Sequence, residues 1–344
     1  MSDLPRKRMK SVDGDKVLLD RPKAAPEQVH VFGQREIDAI DAALAARRPL
    51  LVRGEPGIGK SQLALAAAVD LGRAYVQHVV DSRTESRDLL WHFDAVARLA
   101  DAQFKGALRE VKSRCRSDLH RELVVENYLH PRVLWWAFDW ESARKQAIKA
   151  RRPDEPPQLP GCDPNNGCVV LIDEIDKAET DVPNGLLEAL GAGRFTPQGL
   201  TEPVMAIGEP PLVIITTNEE RALPDAFIRR CLVLHLHLPD AAKEEDKLIK
   251  HLIDRGKAHF ENADPELLGE AAKLLVQDRR KAEQERWLPR PGQAEYLDLV
   301  RAVLDLGSDP KQQQDLLAQV SRYVLKKHPG YELNSPSPLG KGLG

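Results

Sequence analysis

The sequence predicts an α/β fold in which a mainly parallel, five-stranded sheet lies between helices and is followed by a smaller all-helical domain. Three observations lead there. Short runs dense in Val, Ile and Leu recur up to about residue 238 and are too short for buried helices. Segments with apolar residues at helical spacing separate them, the alternation that produces parallel strands covered on both faces. From about Asp240 onward only the helical spacing remains.

In chain order, residues 1–28 are polar and charged and carry Pro5, Pro22 and Pro26, so they read as a flexible arm. The α/β domain is expected over 29–239. Glu36 to Ala46 places Ile37, Ile40, Ala43 and Leu44 on one helical face, and Arg47-Arg48-Pro49 breaks that pattern ahead of a strand at 50–52. A glycine-rich turn at 54–59 leads into an Ala- and Leu-rich helix, Lys60 to Leu71, stopped by Gly72. Further strands are expected at 75–80, 168–172, 212–217 and 232–238. An insertion falls within 84–165, with helical spacing at Leu108, Val111, Cys115 and Leu119 and mixed charge, read as a solvated helix face or as a surface for a partner or a phosphate. The helical domain spans 240–328, where Asp264-Pro265 and Asp309-Pro310 each look like an N-cap followed by a first-turn proline. Residues 329–344 read as a flexible tail.

Composition narrows the function classes. A net charge of -3 advertises no whole-chain basic field, which weakens nucleic acid or an anionic membrane as partner. No stretch approaches the length of a membrane span, and Arg6, Lys7, Arg8 and Lys10 have no apolar run behind them, so a cytoplasmic address is expected. Cys115, Cys162, Cys168 and Cys231 form no CxxC pair; Cys162 and Cys168 flank a turn-rich stretch better read as a loop leading into a strand than as a metal site.

The chemistry concentrates in three places. Gly54-Glu55-Pro56-Gly57-Ile58-Gly59-Lys60-Ser61 matches the phosphate-binding loop and sits between a predicted strand and a predicted helix, as that pattern requires. Its backbone N–H groups and the helix N-terminus would face the phosphates, Lys60 would reach the β- and γ-phosphates, and Ser61 would offer a hydroxyl to Mg²⁺, with Gln62 next in the helix. Asp173 and Glu174 follow the run Val169 to Ile172, at the strand end where parallel sheets bind ligands. Asp173 suits a magnesium shell, partly through water, and Glu174 suits a base for the attacking water; alone, the pair could instead cap a helix. Asn218 ends a third strand, where it could orient the same water or serve as an ordinary turn residue.

These ordered motifs, with Phe32-Gly33-Gln34 ahead of the first helix, resemble the AAA+ superfamily of P-loop NTPases (the ASCE group), and within it the MoxR-like branch, over roughly residues 29–328. The resemblance implies ATP/ADP and Mg²⁺ as ligands, ATP hydrolysis, a homo-oligomeric ring, typically a hexamer, and a protein client, often one with a von Willebrand factor A domain. Leu223 to Cys231 is similar to the family's arginine-finger segment and puts Arg230 at the finger position, although Arg229 and Arg230 could be a surface pair. Leu288-Pro289-Arg290 resembles the start of the sensor-two helix of the lid, with Arg290 facing phosphate or simply opening the helix; Pro291 could shift it. Residues 194–205 resemble the hairpin placed before the sensor-one strand, and Trp91-His92-Phe93 would line the pore or belong to the core. Besides a remodelling chaperone, a nucleic-acid motor or clamp-loader ATPase and a slow ATP-dependent switch in a signalling or defence assembly share this architecture, and nucleic acid stays open as a partner.

Overall fold

The computed structural model describes residues 9–19, 28–109 and 123–333, the side chains of 105–109, 332 and 333 excepted. Its strands and helices run, in chain order, β1 (Lys16–Leu19), β2 (Gln28–Val31), α1 (Gln34–Ala46), β3 (Leu50–Arg53), α2 (Lys60–Leu71), β4 (Arg73–Val79), β5 (Trp91–Phe93), α3 (Ala95–Arg109), β6 (Leu129–Pro131), α4 (Val133–Phe138), α5 (Trp140–Lys149), β7 (Asp163–Asp173), α6 (Asp181–Ala192), β8 (Arg194–Phe195), β9 (Val204–Met205), β10 (Leu212–Thr217), α7 (Asp225–Ile228) and β11 (Leu232–His235). Helices α8 (Glu245–His259), α9 (Pro265–Gln284), α10 (Gln293–Leu306), α11 (Pro310–Val324) and α12 (Gly330–Leu333) complete it. The chain divides into two compact units, one over Met1–Pro26, Phe32–Gly54 and Lys60–His235, the other over Glu27–Val31, Glu55–Gly59 and Leu236–Gly344.

In the first unit a five-stranded sheet runs in the order β11-β3-β10-β7-β4, parallel at every pairing. Leu50, Leu51, Val52, Val169 to Ile172, Ile214 and Ile215 are buried, which is why these strands read as unbroken apolar runs: each has helices on both faces. Helix α2 is buried almost all round, and its four alanines at 64 and 66–68 let it lie close to the sheet. The fold class is thus the P-loop α/β architecture followed by helices.

Several expectations need correcting. β7 starts at Asp163, not Cys168, because the turn-rich stretch is pinned back onto the preceding helix end: the Asp163 N–H and the Asn166 side chain both donate to Gly72 O, at 3.1 and 2.9 Å. Residues 9–19, expected within a flexible arm, are ordered. The Asp70 carboxylate, on α2, accepts from the N–H groups of Lys10 and Ser11 and from the Ser11 hydroxyl, and the Gly14 N–H donates to Phe32 O. A polar sequence gave no sign of these bonds, since they depend on a carboxylate far along the chain. Of the helical spacing expected at 108–119, Val111, Cys115 and Leu119 lie outside the described residues. Trp91 and Phe93, weighed as pore residues, pack against the core instead: Trp91 stacks on Phe195 with ring centroids 5.7 Å apart, and only His92 of the three is exposed. The hairpin over 194–205 is present, as antiparallel β8 and β9.

The second unit is a helical bundle around Leu248, Leu252, Leu268, Leu275, Tyr296 and Val300, all buried. Asp264 and Asp309 cap α9 and α11 as their positions before proline suggest, accepting from Glu266 N–H and from Lys311 and Gln312 N–H. Burial raises the Tyr296 hydroxyl well above its ordinary pKa, and that hydroxyl donates to Leu268 O. Of the tail expected over 329–344, residues 329–333 are instead structured, and Tyr331, on α12, is buried against Trp287 and donates its hydroxyl to Asp278 O at 3.0 Å; the rest lies outside the described residues. Among the described residues no helix is long and apolar enough to cross a membrane.

Candidate active site

Parallel strands bring their C-terminal ends to one edge, and at that edge three of them deliver polar side chains. β7 ends on Asp173, β10 on Thr217 with Asn218 after it, and β3 on Arg53 ahead of the glycine-rich turn. The Ser61 hydroxyl, in the first turn of α2, lies 2.9 Å from both Asp173 oxygens. The Lys60 ammonium, 7% exposed, donates at 2.7 Å to Gly54 O and to the Asn218 side-chain oxygen. The Asn218 amide nitrogen in turn donates to Glu174 at 3.2 Å. Five of the residues singled out from sequence therefore form two bonded sets, Lys60–Asn218–Glu174 and Ser61–Asp173, side by side at one edge of the sheet.

Burial depresses the Lys60 pKa, and the carboxylates of Asp173, Asp176, Glu174 and Glu219 pull it back. The ammonium is thus desolvated yet surrounded by carboxylates. Glu174 takes a left-handed backbone, φ 60° and ψ 48°, uncommon for a residue with a Cβ and held here by its N–H donating to the Thr216 hydroxyl at 2.9 Å. The same hydroxyl donates to Asp173, so one buried threonine fixes the two acids relative to each other.

Thr216, Asp176, Lys177 and Arg279 belong to none of the motifs legible in the sequence. Asp176, 2% exposed, accepts from the N–H groups of Asn218 and Glu220 and so sets the turn that follows β10. Lys177 pairs with Glu174 at 2.6 Å. The signals were faint: a threonine two residues before Asn218, and a lysine three after Glu174.

The tip of the glycine-rich turn, Glu55 to Gly59, belongs to the helical unit. Gly57 has φ +77°, and a Cβ there would stand 2.7 Å from the Ala294 Cβ, so neither the backbone nor the space admits a larger residue. Gly59 (φ 101°) and Pro56 complete the turn, and Ile58 packs against the helical core. The Glu55 carboxylate receives Arg279 Nη2 at 3.0 and 2.9 Å; Arg279 is nearly buried and also donates to Pro291 O. Arg290 stands 4.0 Å from Glu55, so within this unit it faces the loop tip. Gln62 is half-buried in α2.

Arg230 is not at this edge. It precedes β11, whose first residue Leu232 pairs with Leu50 at the start of β3, so it lies at the opposite edge of the sheet, about 10 Å or more away along the strands at ~3.3 Å per residue step. Both Arg229 and Arg230 are exposed, and Arg48 fixes their backbone by donating to the carbonyls of Arg229 and Arg230.

The residues suit a hard, oxygen-preferring cation: a hydroxyl and a carboxylate in contact, with no nitrogen or sulfur donor between them. Among the described residues no group of three or more His, Cys, Asp or Glu side chains could hold a metal ion by itself. A search of curated proteins finds no match to this chain. The model of the AAA domain, dynein-related subfamily, matches residues 49–231, which contain both halves of the network and Arg230, and the chain belongs to that family.

Proposed function

We propose that the protein is an ATP-hydrolysing AAA+ machine of the MoxR-like type, assembled as a homo-oligomeric ring, a hexamer in our reading, that remodels or activates a protein client in the cytoplasm. The observation that carries this reading is the network Lys60–Asn218–Glu174 beside Ser61–Asp173. It joins an ammonium at the start of α2 to carboxylates and an amide that follow adjacent strands, the groups that phosphate binding, a base and a magnesium shell would need.

The roles follow from chemistry. The N–H groups of Gly54 to Gly59 and the start of α2 cradle the phosphates, and Lys60 exchanges Gly54 O and Asn218 for the β- and γ-phosphates. Ser61 and Asp173 hold Mg²⁺, in part through water; the ion, when bound, neutralises charge developing on the phosphates. Glu174 accepts a proton from the attacking water, and Asn218, released by Lys60, orients that water or contacts the γ-phosphate. Arg230, a strand length from its own loop, acts on the nucleotide of a neighbouring copy, and Arg290 senses the phosphate from the lid. A client with a von Willebrand factor A domain fits the resemblance of the motifs to the MoxR-like branch.

The test is ATP binding and steady-state turnover by the purified protein. Lys60→Ala should abolish binding, whereas Glu174→Gln should keep binding and lower turnover by about 10²–10⁴-fold, because only the second leaves the cradle intact. Unchanged turnover in Glu174→Gln would remove Glu174 from its role; absence of ATP binding by the native chain would end the reading.

A further inference from the structure

Glu174 is held from three sides, and one of its holders lies outside the phosphate cradle. Its N–H is fixed by Thr216, one carboxylate oxygen accepts from Asn218 at 3.2 Å, and the other is paired with the Lys177 ammonium at 2.6 Å. Lys177 sits at the end of the single turn Ile175–Lys177. That turn is anchored: Ile175 and Asp176 are buried, Asp176 accepts from two backbone N–H groups of the loop after β10, and the Lys177 N–H donates to Glu174 O at 3.0 Å.

An exposed lysine three residues from a glutamate ordinarily contributes little. Here the circumstances differ. The glutamate has an uncommon backbone conformation that aims its side chain, and its two oxygens are assigned to different partners. When a triphosphate draws Lys60 away, Asn218 loses the bond that orients it, so the Asn218 contact to Glu174 is free to change. Lys177, 42% exposed, holds the other oxygen, and its bond does not run through Lys60 or Asn218.

We propose that Lys177 is a positioning residue for Glu174: its ammonium pins one carboxylate oxygen so that the other is presented to Asn218 and to the attacking water. This rests on the ATPase reading above. A base misaligned by even a small rotation loses much of its contribution, since proton transfer needs hydrogen-bond distance to the water.

The experiment is steady-state ATP turnover by the full chain with Lys177→Met, Lys177→Arg, Glu174→Gln and the double variant Glu174→Gln/Lys177→Met, with nucleotide binding measured by a fluorescent ATP analogue. Lys177→Met should lower kcat about tenfold, equivalent to roughly 1.4 kcal/mol of barrier, with KM and nucleotide affinity unchanged. Lys177→Arg should restore kcat to within about twofold, and Lys177→Met should have no further effect once Glu174 is glutamine. A kcat that stays level or rises in Lys177→Met, a change confined to KM, or full additivity with Glu174→Gln would each overturn the inference while leaving the ATPase reading in place. A native chain that binds no ATP overturns both.

Discussion

The two edges of the central sheet are built from the same strands and treat charge in opposite ways. At the C-terminal edge Lys60, Asp173, Glu174 and Asn218 are wholly or partly buried and bonded to one another. At the N-terminal edge Arg229 and Arg230 are exposed, and what is fixed there is their backbone, by Arg48. The difference teaches that one edge binds its charged side chains to one another, while the other leaves two guanidinium groups exposed on a hydrogen-bonded backbone. Preorganised, desolvated groups stabilise developing charge without rearrangement, and an outward cation acts only when a partner supplies the anion.

Breaking the outward edge should have a larger effect than loosening the supports of the organised one. Arg230→Ala is expected to reduce turnover on the order of 10³-fold in the assembled protein, the scale of an arginine finger, with ATP binding by the isolated subunit preserved. Mixing Arg230→Ala chains with Lys60→Ala chains should recover part of the activity, because some mixed interfaces pair an intact loop with an intact arginine. Turnover measured across mixing ratios gives the answer, and a flat response would assign Arg230 to the surface.

A subtler break lies inside the organised edge. Thr216→Val keeps the shape of a fully buried side chain and removes the hydroxyl that joins Asp173 to the Glu174 N–H. A supporting residue of this kind is worth roughly 10–100-fold. We expect turnover to fall by that factor and the magnesium requirement to rise, read from titrations of Mg²⁺ at saturating ATP.

The smallest effect concerns pH and the flank of the organised edge. Burial lowers the pKa of His78, on β4, and of His130, on β6; Arg132 lowers both further, and Asp88 and Asp81 beside His78 and Asp94 beside His130 oppose the shift. Because the folded-state values lie below the ordinary 6.5, the unfolded chain takes up protons first as pH falls. The stability contributed by these neutral rings is complete above pH 6.5 and is lost as pH drops through the folded-state values. Thermal midpoints between pH 7.5 and 5 should therefore decline on the acid side, and His78→Gln with His130→Gln should flatten that slope. An unaltered slope would show that the rings are hydrated in the folded protein.

The sequence by itself determined the strand and helix pattern of the sheet and the placement of Lys60, Ser61, Asp173, Glu174 and Asn218, since each is tied to a local pattern: an apolar run, a glycine turn, a strand terminus. Tertiary structure alone decided which groups complete the network. Thr216 and Asp176 do so through partners 42–44 residues away, and in the helical unit Arg279 meets Glu55 across 224; no spacing along the chain encodes such meetings, whereas Lys177 lies only three residues after Glu174 and its pairing depends on the turn between them. The same holds for Asp70, which orders residues 10 and 11 across some 60 positions of sequence. Local geometry is written in periodicity and turn chemistry, whereas burial and pairing are properties of the packed chain: a polar side chain reveals its role only once its surroundings have excluded water.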